Sequence, residues 1–324
     1  MELTTKQKVL VTGGSGFVGA ALLRRLATQP GLEVLGWVRR SDASLPAGVV
    51  PVPASRERLF AAGAAPEKLD VLVHCAGRAH VLQERSTDPL AEYRQVNLEL
   101  TVELAREAAR LGARRFVFVS TIKVNGEQTS VKPFTASDVA APVDPYALSK
   151  LEAEQALGTL AAETGMEIVI VRPPLIYGPG VKANFLSLFR AVQHGWPLPL
   201  GGVRNRRSLV ALDNLVDLLV TCMDHPAAAN QVLLVSDGEP MSTPELLRGI
   251  GKALGRPARL VGVPPGWLKA GARLVRRPAI YERLCGSLEV DDAATRQLLQ
   301  WRPPVSVDQA LAATARWFLA ERHL

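Results

Sequence analysis

The stretch Asp144-Pro-Tyr-Ala-Leu-Ser-Lys150 puts a phenol and an ammonium four residues apart, just inside the start of a predicted helix. Asp144 suits an N-cap, because its carboxylate can accept first-turn N–H groups, and Pro145 suits the N1 position, where no N–H is needed. Residues four apart share a helix face, so Tyr146 and Lys150 point the same way. An adjacent ammonium and the positive helix end both favour phenolate over phenol. A phenol so tuned exchanges a proton with a substrate oxygen near neutral pH. A second chemical cluster precedes it. Ser120-Thr-Ile-Lys-Val-Asn-Gly-Glu127 follows the apolar run Arg115-Phe-Val-Phe-Val119, so two hydroxyls (Ser120, Thr121) and the ammonium of Lys123 stand at the mouth of a predicted strand. Tyr-x-x-x-Lys is common as a plain surface pair; its meaning here comes from the company it keeps.

That company is a glycine loop. Thr12-Gly-Gly-Ser-Gly-Phe-Val-Gly19 joins a short apolar strand, Lys8–Thr12, to an amphipathic helix with Phe17, Val18, Leu22, Leu23 and Leu26 at helical spacing. Gly13 permits a sharp turn, Gly16 clears a path for a pyrophosphate to reach the backbone, and Gly19 lets the helix pack closely on the sheet. A helix N-terminus adds free N–H donors and a positive dipole end. Ser15, Gly16, Phe17, Val18 and Gly19 are the expected phosphate contacts, in a dinucleotide site. In NAD-preferring proteins the second strand ends in an acid that binds the ribose 2′-hydroxyl. Here Glu33-Val-Leu-Gly-Trp-Val-Arg-Arg40 has Val38 at that place, followed by Arg39 and Arg40. Guanidinium groups can bind a 2′-phosphate bidentately, so NADP(H) is the favoured cofactor, with NAD(H) the alternative. Asp70-Val-Leu-Val-His-Cys-Ala-Gly77 ends a further strand in small residues, and Ala76 and Gly77 would let a cofactor lie close to the backbone.

The elements that must position these groups alternate. Strands are predicted at Lys8–Thr12, Glu33–Val38, Val49–Val52, Leu69–His74, Arg115–Val119 and Glu167–Arg172, and helices at Tyr93–Leu111 and Pro145–Thr164. Alternation of this kind implies an α/β fold, a doubly wound parallel sheet with helices on both faces. Proline and glycine become dense after Arg172. Residues 1–173 are therefore expected to form the dinucleotide-binding domain, and 174–324 a smaller, mixed substrate domain, with 208–237 returning in part to the main sheet. The 324 residues suit such a core, and 48% of them are hydrophobic. The formal net charge of +7 is scattered, without a basic run interleaved with aromatics. That argues for an anionic small ligand rather than nucleic acid. Cys75, Cys222 and Cys285 lie far apart with no metal-ligand spacing, so neither a disulfide framework nor a metal site is expected. No signal-peptide pattern and no bilayer-length apolar run occur, so a cytoplasmic location without an integral membrane segment is expected. Residues 266–284 are a basic amphipathic stretch, read as a solvated helix packed on the domain rather than a membrane-surface helix.

With these motifs in order the chain resembles the extended short-chain dehydrogenase/reductase family that acts on nucleotide sugars. The likeness is carried by the glycine loop, His74-Cys-Ala-Gly77, Val96-Asn97, the strand tip, Tyr146/Lys150, Arg172-Pro-Pro-Leu-Ile-Tyr-Gly-Pro179, and Arg207 before Ser208-Leu-Val-Ala-Leu-Asp213. It covers nearly the whole chain and implies a Rossmann-type fold, a UDP-linked sugar substrate and a homodimer through the helices bearing Tyr93 and Tyr146. It implies that Thr121 binds the reacting sugar oxygen, Tyr146 is the acid/base and Lys150 holds the nicotinamide ribose. Asn97 and Pro173 join the expected cofactor contacts. Ser120, Thr121, Lys123, Lys182, Asn184, Arg204 and Arg207 are the expected substrate contacts, with Arg206 beside them and Arg207 the best placed for a phosphate. Two departures stand out. Asn125 replaces the tyrosine usual at the strand tip, and Val52-Pro-Ala-Ser-Arg56 lacks the acid often found near the adenine.

The strand tip also excludes a reaction. The sugar 4,6-dehydratases similar to this chain carry an Asp-Glu pair directly after the catalytic threonine, since water loss needs both a base and an acid. Here those positions are Ile122 and Lys123. What remains suffices for reduction of a ketone or oxidation of an alcohol at C4. The leading expectation is an NADP(H)-dependent reductase of a UDP-linked 4-keto-6-deoxy sugar; the runner-up is a UDP-sugar 4-epimerase. A non-catalytic NADP(H)-binding sensor is the third reading, although it would not need Tyr146 and Lys150 together.

Overall fold

The computed structural model describes residues 6–38, 45–54, 59–60, 63–78, 87–274 and 278–321. Seven strands form one parallel sheet: β1 (Gln7–Thr12), β2 (Leu32–Val38), β3 (Val49–Pro53), β4 (Val71–His74), β5 (Arg115–Val119), β6 (Glu167–Arg172) and, after a separate parallel pair β7 (Leu175–Tyr177) and β8 (Leu209–Ala211), β9 (Val232–Leu234). The spatial order is β3-β2-β1-β4-β5-β6-β9. Order reverses between β1 and β4, which is the switch point where open α/β sheets bind ligands. Strands such as β4 and β5 are continuous apolar runs because helices cover both faces.

The helices are α1 (Phe17–Leu26), α2 (Pro89–Arg94), α3 (Leu100–Arg110), α4 (Pro145–Thr164), α5 (Ala183–His194), α6 (Leu212–Asp224), α7 (Thr243–Ala253), α8 (Pro265–Leu274), α9 (Pro278–Cys285), α10 (Ala293–Leu299) and α11 (Val307–Ala320). One core layer packs α1 and α6 on the sheet through Leu22, Leu26, Leu215 and Leu219. The opposite layer packs α3 and α4 through Leu104, Ala108, Ala153 and Leu157. A third cluster, with Tyr177, Phe185, Phe189, Leu247 and Phe318, holds the later elements together. The single helix expected over Tyr93–Leu111 is instead α2 and α3 joined by a π-helical turn, Gln95–Glu99. Such turns take one extra residue and turn the following side chains, and they recur at functional sites. No described helix is long and apolar enough to cross a membrane.

Among the described residues, Arg115 is the largest wholly buried side chain. Its guanidinium donates to Glu167 (2.8 Å) on β6 and to the carbonyls of Cys222 (2.8 Å) and His225 (2.9 Å) at the end of α6. A buried cation at a helix C-terminus is compensated by the negative dipole end as well as by the carboxylate.

Candidate active site

The site lies along the C-terminal edge of the sheet, on both sides of the switch point. Between β1 and α1, Gly13 takes a left-handed φ of 72°, and a Cβ there would stand 2.7 Å from the backbone nitrogen of Ala76. The loop thus runs in contact with the chain leaving β4. A Cβ on Gly19 would strike the Gly13 carbonyl, so this glycine serves the loop itself rather than helix-to-sheet packing. Gly16 is the N-cap of α1, and no side chain caps the first turn. Ser15 and Gly16 are exposed there, with Phe17 and Val18 half-buried behind them. Uncapped N–H groups beside a groove free of Cβ atoms fit the pyrophosphate of a nicotinamide dinucleotide. Opposite, a Cβ on Gly77 would lie 3.1 Å from Asn97 Oδ1 and 3.5 Å from Lys150 Nζ, so this wall must also stay bare. Arg39 and Arg40, expected at a 2′-phosphate, lie outside the described residues; β2 ends at buried Val38.

A buried chain of hydrogen bonds stiffens that wall. Thr12 Oγ1 meets His74 Nδ1 at 2.7 Å, His74 Nε2 meets Thr101 Oγ1 at 3.0 Å, and Thr101 donates to the Asn97 carbonyl at 2.7 Å. Ala76 N–H donates to Thr12 Oγ1 at 3.2 Å. One order of donors satisfies every member: Ala76 to Thr12, Thr12 to Nδ1, Nε2–H to Thr101, Thr101 to Asn97. It requires neutral His74, and burial, helped by nearby Lys150, lowers the imidazole pKa to about 3. His74 was quoted in the sequence only as part of a family motif; its role as the hub joining β1, β4 and α3 needed the fold. Asn97, in the π-helical turn, accepts from Arg78 N–H (2.8 Å) and donates to the Arg78 carbonyl (3.1 Å) and to Ser149 (3.0 Å). It is a clamp between the post-β4 loop and α4.

Helix α4 begins as the sequence dictates. Asp144 accepts from Ala147 N–H at 2.7 Å, Pro145 opens the helix, and Gly165 closes it in the left-handed conformation. Tyr146 is half-buried in the first turn, with the Thr121 hydroxyl near enough to pull its pKa down. Its ring lies 5.9 Å from that of Tyr93. Lys150 Nζ donates to the Val119 carbonyl (2.9 Å) and stands 4.2 Å over the Phe118 ring. The structure therefore unites Thr121, Tyr146 and Lys150. It corrects their electrostatics, however. Burial raises the Tyr146 phenol to about 12, opposed by the nearby Thr121 hydroxyl and reinforced by the charge of Asp144. Burial likewise lowers Lys150 to about 8, while Glu154 pulls it upward. Burial therefore favours the protonated phenol, the opposite of the phenolate expected beside an ammonium.

The rest of the strand tip divides by direction. Ser120, expected at the substrate, is buried and donates to Glu154 at 2.5 Å. Glu154 is in turn paired with Arg172 (2.5 Å), and Arg172 also donates to Asn125 Oδ1 at 2.9 Å. The Asn125 that replaces the usual tyrosine thus completes a buried ion-pair network under the site, and its amide donates to the Thr135 carbonyl at 2.9 Å. Ile122 is buried, its N–H on the Pro173 carbonyl at 2.9 Å, with no group able to exchange a proton. Pro173 itself is buried at the end of β6. Lys123 is no free substrate contact either: its ammonium is 2.7 Å from both Glu127 and Asp144.

Of the residues expected at the diphosphate, Lys182, Asn184 and Arg204 are exposed. Arg206 is a loop charge on Glu289 at 2.7 Å. Arg207 differs. Backbone bonds with Met241 and Leu288's bridge hold it in place, and its guanidinium donates to the Gly286 carbonyl at 3.0 Å. No ion pair to Arg207 occurs among the described residues, and burial lowers its pKa although the charge of Glu127 opposes this. A partly desolvated cation without a carboxylate partner is a place for an anion. Among the described residues no cluster of three or more metal-ligating side chains forms.

The chain matches the model of the NAD dependent epimerase/dehydratase family over residues 9–235. It is 45% identical over 318 residues to UDP-glucose 4-epimerase of Vibrio cholerae, spanning 97% of this chain and 96% of that protein. It is 30% identical to ceramide reductase of Caulobacter vibrioides, over 84% and 78% of the two chains. Among solved structures, UDP-glucose 4-epimerase from Thermotoga maritima with UDP-glucose superposes at a TM-score of 0.76 and 20% identity, over 98% of this chain and 100% of that one. RMD from Pseudomonas aeruginosa, complexed with NADPH, superposes at 0.73 and 22% identity, over 96% and 99%. At such identities the structures speak to the fold alone.

Proposed function

The chain belongs to the NAD-dependent epimerase/dehydratase family, and from that premise we propose that it is a UDP-sugar 4-epimerase, inverting C4 through a transient 4-ketone. The observation that carries this reading is the 45% identity, along 97% of the chain, with a UDP-glucose 4-epimerase. It displaces ketone reduction as the first choice. The site supports it in three respects. Thr121 lies beside Tyr146, with Lys150 one helical turn on, as a shared contact to one substrate oxygen would need. Ile122 and the ion-paired Lys123 leave no acid–base pair for dehydration. Arg207, half-buried and in no direct ion pair among the described residues, offers a cation for a diphosphate.

In this reading Arg207 anchors the UDP and Thr121 holds the C4 oxygen. Tyr146, after losing its own proton, takes the hydroxyl proton as C4 is oxidised and returns it as the ketone is reduced on the other face. The bound nicotinamide dinucleotide supplies the hydride acceptor and donor, and there is no net redox change. The glycine loop, Gly77 and the Asn97 clamp keep its path free of side chains.

A second reading, NADPH-linked reduction of a UDP-4-keto sugar, is favoured by one feature, the absence of an acid after Val38 and the presence of Arg39 and Arg40. One experiment separates them. With UDP-N-acetylglucosamine or UDP-glucose and catalytic NAD, NMR of the sugar should show C4 inversion with no accumulation of reduced nicotinamide. Stoichiometric NADPH loss on a 4-keto substrate, without inversion of either 4-hydroxy sugar, would replace the epimerase with the reductase.

A further inference from the structure

We propose that Lys123 is a positioning residue for the acid/base: it ties the strand tip that carries Thr121 to the N-cap of the helix that carries Tyr146. The role rests on the reading of Tyr146 as the proton carrier. Lys123 Nζ lies 2.7 Å from Asp144 Oδ2, while the other oxygen of that carboxylate caps α4 through Ala147 N–H, also at 2.7 Å. One carboxylate therefore joins two elements, and its geometry fixes the first turn, in which Tyr146 is the second residue. On the strand side, Lys123 N–H donates to Thr121 Oγ1 at 3.3 Å, so the same residue orients the hydroxyl that stands beside Tyr146. Glu127, 2.7 Å from the ammonium on its other side, keeps it in place. The ammonium also offsets the charge of Asp144, which otherwise opposes ionisation of Tyr146.

A lysine with two carboxylates at 2.7 Å has little left to offer a sugar. The pair is half-buried, where the cost of desolvation offsets much of the attraction, so its global contribution is modest. Its consequence is local: two elements that approach only in the tertiary fold are held in the relative position proton transfer requires, where small displacements are costly in rate.

The test is a double-mutant cycle with a second, substrate-independent readout. Lys123→Met should lower kcat by roughly tenfold, with KM and thermal midpoint little changed, and Lys123→Arg should recover most of the loss. In an Asp144→Ser background, which keeps a cap but removes the charge, Lys123→Met should cost nothing further. Ultraviolet titration, with Tyr146→Phe subtracted, should show the Tyr146 phenol ionising at higher pH in Lys123→Met than in wild type. That titration needs no turnover, so it decides the proposal even if the protein inverts no sugar. A wild-type kcat and an unmoved titration in Lys123→Met would overturn it. So would a loss confined to KM, which would make Lys123 a substrate contact, or an undiminished loss in the Asp144→Ser background.

Discussion

His74 carries a distinct pH signature. The folded protein keeps its imidazole neutral down to about 3, whereas an unfolded histidine titrates near 6.5. Because the folded pKa is depressed, the stability is intact above pH 6.5 and is lost as pH falls from there toward 3, where the unfolded chain gains a proton the native one refuses. His74→Asn should cost stability at neutral pH through the broken chain between Thr12 and Thr101. It should also reduce proton uptake on unfolding near pH 5 by close to one, measured as the slope of unfolding free energy against pH. An unchanged slope would show that the ring is charged or exposed. Tyr146→Phe belongs to the same scale. It removes the proposed proton carrier while leaving the glycine loop intact, so dinucleotide binding should persist and turnover fall roughly 10²–10⁴-fold. Equal loss of both would mean that the phenol is a structural group. Thr121, Tyr146 and Lys150 could be placed from the sequence because their positions on a strand tip and at a helix start follow from local spacing. The sequence did not disclose the fates of Ser120 and Lys123, because their partners, Glu154 and Asp144, are 34 and 21 residues away. Hydroxyl and ammonium look alike in sequence whether they face a ligand or a carboxylate.

Elements with strong end signals were legible to the residue. Helix α4 runs over Pro145–Thr164 because Asp144-Pro145 starts it and Gly165 stops it, and β6 is an uninterrupted apolar run. The π-helical turn at Gln95–Glu99 was not legible, since the apolar spacing continues through it and the cause is tertiary: Asn97 must reach Arg78 and Ser149 at once. The glycine loop was legible as a motif, but its tightest contact was not. Gly13→Ala and Gly112→Ala give a clean comparison. Both positions are left-handed, at φ 72° and 80°, and a new Cβ meets nothing within 4 Å at Gly112. Gly112→Ala should therefore cost only the conformational penalty of about 1–2 kcal/mol. Gly13→Ala adds a collision with the backbone of Cys75 and Ala76, which cannot swing aside as a side chain would. It should lower the urea midpoint further and weaken dinucleotide binding, while Gly112→Ala leaves binding untouched. Equal costs would mean that the loop and the β4 end can part freely.

At the scale of the whole molecule, the sheet is assembled from distant parts. Strand β9 bonds to β6 through the pairs Ile170–Val232, Val171–Leu233 and Arg172–Leu234, and α6, which precedes it, seals Arg115. A chain stopped at residue 173 would leave β6 as an open apolar edge and Arg115 buried without its two carbonyl partners. Such a fragment should be insoluble or should fail to unfold cooperatively, judged by gel filtration and denaturant titration. A soluble, cooperative fragment would show that the first six strands suffice. The same arrangement has a consequence for how the protein is made. On the ribosome, β6 emerges roughly sixty residues ahead of its neighbour. At ~5–20 residues per second that is a delay of roughly 3–12 s. Throughout it the nascent sheet presents a template to any other unfinished strand nearby. Synonymous slow codons within 174–231 would lengthen the delay and reduce the soluble yield without altering a single residue.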